Sequence, residues 1–315
     1  MTMQRRLLFV VLTLLSISLS VSYRRFGPST VRLKSQPIVQ KPRSLVLKAS
    51  GESLIYSPAE TYHLLAAKGE ANSKLSVMKT LHAAIMGGIQ VGIGGLLCLT
   101  VCGNMPGVAA TNPGLVKFVF GALFPVCLVL VLNTGTQLFT GNTASMAAAY
   151  CEKKISAMDV VKSWALAYIG NIIGCGLLAW VGHYTGILSG GTQAMAAAVG
   201  VAKCSGGTFG QMLVKGIFCN YLVCMAIFLA TMARDMTGRY VGILVPISTF
   251  VATGYEHSVA NLVLLPAALL AGAPLTMRDI FLKNLIPVTI GNGIAGAALV
   301  AASFSFAFGK LGEGK

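Results

Sequence analysis

Polar and charged residues interrupt this chain at intervals, and between residues 80 and 307 they leave six apolar segments, over 81–101, 115–150, 161–186, 209–232, 240–271 and 283–307. Each is long enough to cross a bilayer, which takes about 20 helical residues. The second and fifth exceed one plain crossing, so each is expected to tilt strongly or to contain non-helical backbone. Polar residues mark both interruptions. Gly135 to Asn142 reads GTQLFTGN, and 119 residues later Gly254 to Asn261 reads GYEHSVAN. Further along, YIGNIIG around Asn171 is answered 121 residues later by TIGNGIAG around Asn292. The chain reads as a duplication. Three helices per half is an odd number, so the second copy enters the membrane from the opposite side. Helix breaks at matching places in inverted halves point to a transport path, because irregular backbone persists at membrane depth only where it lines a cavity or is buried in protein.

Composition agrees with a membrane protein: 55% apolar residues, 10% charged and a mean hydropathy of +0.75. The net charge of +15 changes meaning once it is located. Nine Lys or Arg and no acid fall in residues 1–51, which open with MTMQRR and the apolar run LLFVVLTLLSISLSVS, the layout of a secretory signal peptide. The basic, hydroxyl-bearing segment after it, with an early Phe26, resembles the bipartite presequence of algae with secondary plastids. A seventh, N-terminal helix with a basic tail is the alternative. Without residues 1–51 the chain carries 15 basic against 9 acidic residues, a net of +6, which excludes a nucleic-acid reading. Residues 52–79, which include Pro58 to Leu75, are expected to form a surface helix and linker, residues 80–307 the six-helix transport domain, and residues 308–315 a tail.

The chemistry is sparse. Eight scattered cysteines without CxxC or histidines at ligand spacing read as small core residues, so neither a metal nor another cofactor is expected. No nucleotide loop or nucleophilic triad suggests an enzyme. His257 stands out, because an ionisable residue at membrane depth is a functional candidate by default. Glu256 beside it is the only acid within the six segments, and it needs a polar partner such as Asn171, or a basic residue. Thr140, Asn171, Asn261 and Asn292 are placed either to line a path or to satisfy backbone groups freed by the breaks, the second role being favoured for the asparagines.

The motifs LFTGN (Leu138 to Asn142), KSWALAYIGN (Lys162 to Asn171), GYEHSVAN with Phe250 before it, and NLIPVTIGN (Asn284 to Asn292) resemble the formate/nitrite transporters, over roughly Tyr56 to Ala307. The resemblance implies an all-α, aquaporin-like bundle of six transmembrane helices in two inverted repeats with helices 2 and 5 broken. It also implies a pore in each protomer of a homopentamer. Its substrates would be small monovalent weak-acid anions, nitrite and formate first. It places the pore histidine at His257, an entrance lysine at Lys162, and apolar constrictions at Phe124, Leu128 and Phe250 on one side of it and Leu138 and Phe139 on the other. On this reading His257 protonates the anion, directly or through water, and the neutral acid crosses. An aquaporin-like facilitator of neutral solutes is the alternative, although paired NPA motifs are missing. A scaffold would gain nothing from Glu256 and His257 at the midplane. An ion-driven exchanger would want more charged residues in the bundle. Ten basic residues on the side of the termini against five on the other put both termini on the inner face. The presequence favours a plastid envelope, with the plasma membrane as alternative, and in a plastid nitrite would be the favoured substrate.

Overall fold

The polar residues between the apolar runs serve as helix caps. Ser57 accepts the Glu60 amide while the Glu60 carboxylate accepts the Ser57 amide, and this reciprocal cap opens α1, Pro58–Ser73. The same device opens α6 (Ala157–Tyr184) at Ser156 and Asp159, α8 (Phe209–Met232) at Thr208 and Gln211, and α11 (Met277–Phe308) at Thr276 and Asp279. Single side-chain caps from Ser76, Asn112 and Asp235 open α2 (Val77–Gly103), α4 (Pro113–Thr134) and α9 (Met236–Thr253). The other helices are α3 (Pro106–Thr111), α5 (Phe139–Cys151), α7 (Gly190–Ser205) and α10 (Ser258–Leu270). The computed structural model describes residues 53–314, and among these an isolated bridge of Ile55 with Ala233 is the sole departure from helices and their connections. The presequence expected over 1–51 lies outside the described residues.

Five helices are individually long and apolar enough to cross a membrane: α2, α4, α6, α8 and α11. The sequence led us to expect six such spans. The difference lies in the fifth segment, which is divided between α9, whose first turns carry Arg239, and the 13-residue α10. Glycines set how closely the long helices pack. A side chain at Gly88 would lie 2.7 Å from the Asn171 carbonyl oxygen, and one at Gly174 would strike the Ile85 carbonyl, so α2 and α6 meet backbone to backbone. Gly216 and Gly291 do the same for α8 and α11.

One expectation needs correcting. Helix α1 is no mere surface helix, because Tyr62, Leu65, Ala66 and Gly69 bury one face of it, with Gly69 against α5. The interval after α6 also carries a packed helix. It holds α7, whose Gly200 packs on Ala268 of α10 as Gly69 packs on Ser145 of α5. The physical reason is shared: small residues spaced along one face let a short helix nest on a neighbour, a signal weaker than a long apolar run.

Candidate functional site

Helix α4 ends at Gly135 and α9 at Gly254, both in the left-handed region (φ 73° and 80°) that glycine enters without strain. In each case three residues run extended or irregular before the next helix begins, at Phe139 for α5 and at Ser258 for α10. The backbone groups exposed there are claimed by two fully buried asparagines. Asn171 Oδ1 accepts the Phe139 amide (2.9 Å), and its Nδ2 donates to the carbonyls of Ala84 (2.8 Å) and Gln137 (3.0 Å). Asn292 Oδ1 accepts the Ser258 amide (2.8 Å), and its Nδ2 donates to the carbonyls of Gly216 (2.8 Å) and Glu256 (3.2 Å). An unpaired amide here would cost about 1–3 kcal/mol, which these side chains avoid. Asn171 therefore serves the backbone and is not the partner of Glu256.

A second pair of networks surrounds the residue immediately before Leu138 in one half and immediately before His257 in the other. Glu256 Oε2 accepts from Asn261 (2.8 Å) and Asn284 (3.2 Å) and pairs with Lys203 Nζ at 3.0 Å. Asn284 also accepts from Asn261 and donates to the Lys203 carbonyl, tying α7, α10 and α11 together. In the other half Gln137 Oε1 accepts from Asn142 (2.9 Å), which also reaches Ser163, while Asn72 of α1 bonds both Gln137 and Asn142 at 3.4 Å. The same positions thus hold a charged cluster in one half and a neutral one in the other. Asn261 is engaged with this carboxylate and with Asn284, which differs from the backbone role expected of it.

His257 sits between the two arrangements, 5% exposed, as the cap of α10. Its Nδ1 accepts the Ala260 amide (2.9 Å), which assigns the ring proton to Nε2, and Nε2 lies 3.0 Å from Thr140 Oγ1 of α5. The ring stacks on Phe250 (5.7 Å between centroids, 29°), and Phe250 meets Phe124 edge to face (6.3 Å, 83°). Histidine, threonine and phenylalanines come from α5, α9, the loop before α10 and α4, so only the tertiary fold joins them.

One cavity is lined by this group, and a second lies along the first break. The larger, about 380 Å³, is lined by Phe124, Phe250, Glu256 and His257, with Lys117, Lys203 and Lys215 around it. The smaller, about 20 Å³, is lined by Leu128, Val131, Thr136, Gln137, Leu138 and Lys68. It has room for about one water. Leu128 therefore accompanies Leu138, not Phe124 and Phe250 as expected, because it lies about one turn further along α4 than Phe124, with Val131 of the same cavity. Phe139 lines neither cavity; it is buried edge to face against Trp164 and Tyr168. Lys162 is exposed on α6 and also lines neither. The lysines that do line them sit on α1, α4, α7 and α8. Lys203 had a faint signal, since AAKGEAN in α1 and AAVGVAK in α7 align with Asn72 against Lys203.

Glu152, after α5, is a further buried carboxylate that the sequence reading passed over. It accepts from Tyr62 Oη (2.8 Å), Ser305 Oγ (2.7 Å) and the Lys310 amide (3.2 Å), fastening α1 and the C-terminal end of α11 to the end of α5. Burial pushes its carboxyl up, and the bonds from Ser305, Tyr62 and Lys310 outweigh that and hold it below the usual carboxylate range. The eight cysteines are free, and those of α2, α4, α6 and α8 are buried, several donating weakly to backbone carbonyls, as Cys175 does to Gly88.

Helices of this length and apolarity, enclosing a polar site between two cavities, define a multi-pass integral membrane protein. Residues 59–306 match the family described as Formate/nitrite transporter, and the chain belongs to that family. It is similar to a probable formate transporter of Methanothermobacter thermautotrophicus, 37% identical over 269 residues covering 81% of this chain and 97% of the relative. Among solved structures it is similar to an FNT family ion channel, with a TM-score of 0.72 at 27% identity, covering 79% of this chain and 98% of that one. A pentameric formate channel with formate bound is also similar, at TM-score 0.65 and 29% identity, covering 74% and 98%.

Proposed function

We infer that the chain is a channel for small monovalent weak-acid anions, formate and nitrite first. On this reading α4 with α5, and α9 with α10, each form one interrupted crossing, giving six crossings in two inverted, aquaporin-like repeats. The matched asparagine bonds of Asn171 and Asn292 support that repeat. The pentameric relative supports a homopentamer with one pore per protomer. The observation that carries the reading is the His257 and Thr140 pair, held in an apolar wall between two lysine-bearing cavities.

The proposed path follows from electrostatics. An anion in the larger cavity is drawn by its lysines, yet a bare unit charge in the wall beyond costs several kcal/mol or more. Leaving water raises the proton affinity of a carboxylate or nitrite, so the cheaper passenger is the neutral acid. Because Nδ1 of His257 already accepts a backbone N–H, the ring is set to give a hydrogen bond from Nε2, and the proton that neutralises the anion comes through water in the cavity. Phe124 and Phe250 on one side, and Leu128 and Leu138 on the other, exclude the hydrated ion. Transport is then of anion and proton together. The relatives' names favour formate, whereas the transit-like character of residues 1–51 supports delivery to a plastid envelope and, there, nitrite.

The test is uptake of labelled formate and nitrite into vesicles holding residues 52–315, with an inward proton gradient and with that gradient collapsed. Flux that follows the gradient is expected. Movement of water or glycerol with neither anion would overturn the reading in favour of a neutral-solute facilitator.

A further inference from the structure

Three lysines face the larger cavity, and they differ in what surrounds them. Lys203 Nζ is bound at 3.0 Å to Glu256, whose carboxylate Asn261 and Asn284 hold in place, so the pair carries no net charge toward the cavity. Lys117 is exposed at the rim on α4. Lys215 is half-buried on α8, and among the described residues no carboxylate pairs with its ammonium group. Its carbonyl accepts the Glu256 amide (3.4 Å), which puts its stretch of helix directly against the residue before His257. Stacking of Phe218 on Tyr255 (6.1 Å, 28°) braces the same junction.

The duplicated half sharpens the contrast. There the matching bond runs from the Gln137 amide to the carbonyl of Ala83, so the position of Lys215 is held by alanine. The cation of the smaller cavity comes instead from α1, as Lys68, and the α7 residue aligned with it is Val199. The backbone network is repeated in both halves, while Lys68 and Lys215, without a carboxylate partner among the described residues, reach their cavities from different helices. Packing inherited from the duplication does not account for that placement.

We propose that Lys215 is the anion-capture residue of the larger cavity, and that Lys203 is a positioning residue that keeps Glu256 in the wall. The assignment rests on the anion-channel reading above. A unit charge about 4 Å from a bound anion in nearly aqueous surroundings changes binding about fivefold. Formate uptake from the side of this cavity is measured in oriented vesicles holding the full chain. Lys215→Gln is expected to raise the apparent KM about three- to tenfold at low ionic strength, with the maximal rate within about twofold, and the difference should shrink at about 1 M salt. Lys215→Arg should restore the KM. The double variant Lys203→Asn with Glu256→Gln, which copies the neutral half, should leave the salt dependence of KM intact. An unchanged KM in Lys215→Gln, or a loss of salt dependence in the double variant instead, overturns the assignment while the channel reading stands. Absence of formate flux through the unaltered chain overturns both.

Discussion

Replacing His257 separates its two bonds. His257→Asn keeps an acceptor at the start of α10 for the Ala260 amide, but the shorter side chain cannot reach Thr140, 3.0 Å from the present Nε2. His257→Phe removes both, and the lost cap costs about 1 kcal/mol of stability in addition. A donor in a dry wall that meets an anion or its acid contributes about 1.5–3 kcal/mol, so flux should fall about 10- to 150-fold in either variant. Size-exclusion and thermal-melt measurements first establish that His257→Asn assembles as the unaltered chain does. Initial rates of labelled formate uptake are then read with and without an inward proton gradient. A correctly assembled His257→Asn protein with unaltered, gradient-following uptake would refute the role given to Nε2. A fall confined to the maximal rate, with KM preserved, would support it, since capture occurs in the cavity before the wall is reached.

Other consequences are equally direct. Asn171→Ala and Asn292→Ala each remove the partner of a buried amide and of one carbonyl at a break, and each should lower stability by about 3 kcal/mol, read as a lower melting temperature in detergent. Lys203→Met leaves Glu256 a buried unpaired charge and should cost about 3–5 kcal/mol, whereas adding Glu256→Gln should recover most of that; an undiminished loss in the double variant would contradict the pairing. Because the folded-state Glu152 carboxyl sits below its unfolded value, its contribution is present above the ordinary carboxylate pKa and is lost as pH falls through the folded one. Glu152→Gln should therefore flatten the acid limb of melting temperature against pH, below about pH 4, and an unaltered limb would rule out the latch. Gly291→Leu should prevent assembly, because α8 and α11 touch through backbone at that point.

The sequence carried the architecture far because the bilayer constrains it strongly. Long apolar runs, polar caps, glycines and two matching polar interruptions are local or periodic signals, and they determined the helical class, the duplicated motifs and the position of His257 and Glu256 in the second interruption. What lies three or four turns away on another helix left no such mark. Only the tertiary structure decided that Asn171 serves the Phe139 amide, that Lys203 meets Glu256, and that Lys162, for all its motif, lines neither cavity. Helices α1 and α7 were faint because each buries only a narrow stripe of small residues, a pattern whose meaning appears when Gly69 and Gly200 are seen against α5 and α10. Which side of the histidine Leu128 joins depends on how far α4 has turned on reaching it, and rotation of one helix against its neighbours is a property of packing that no single stretch of sequence encodes.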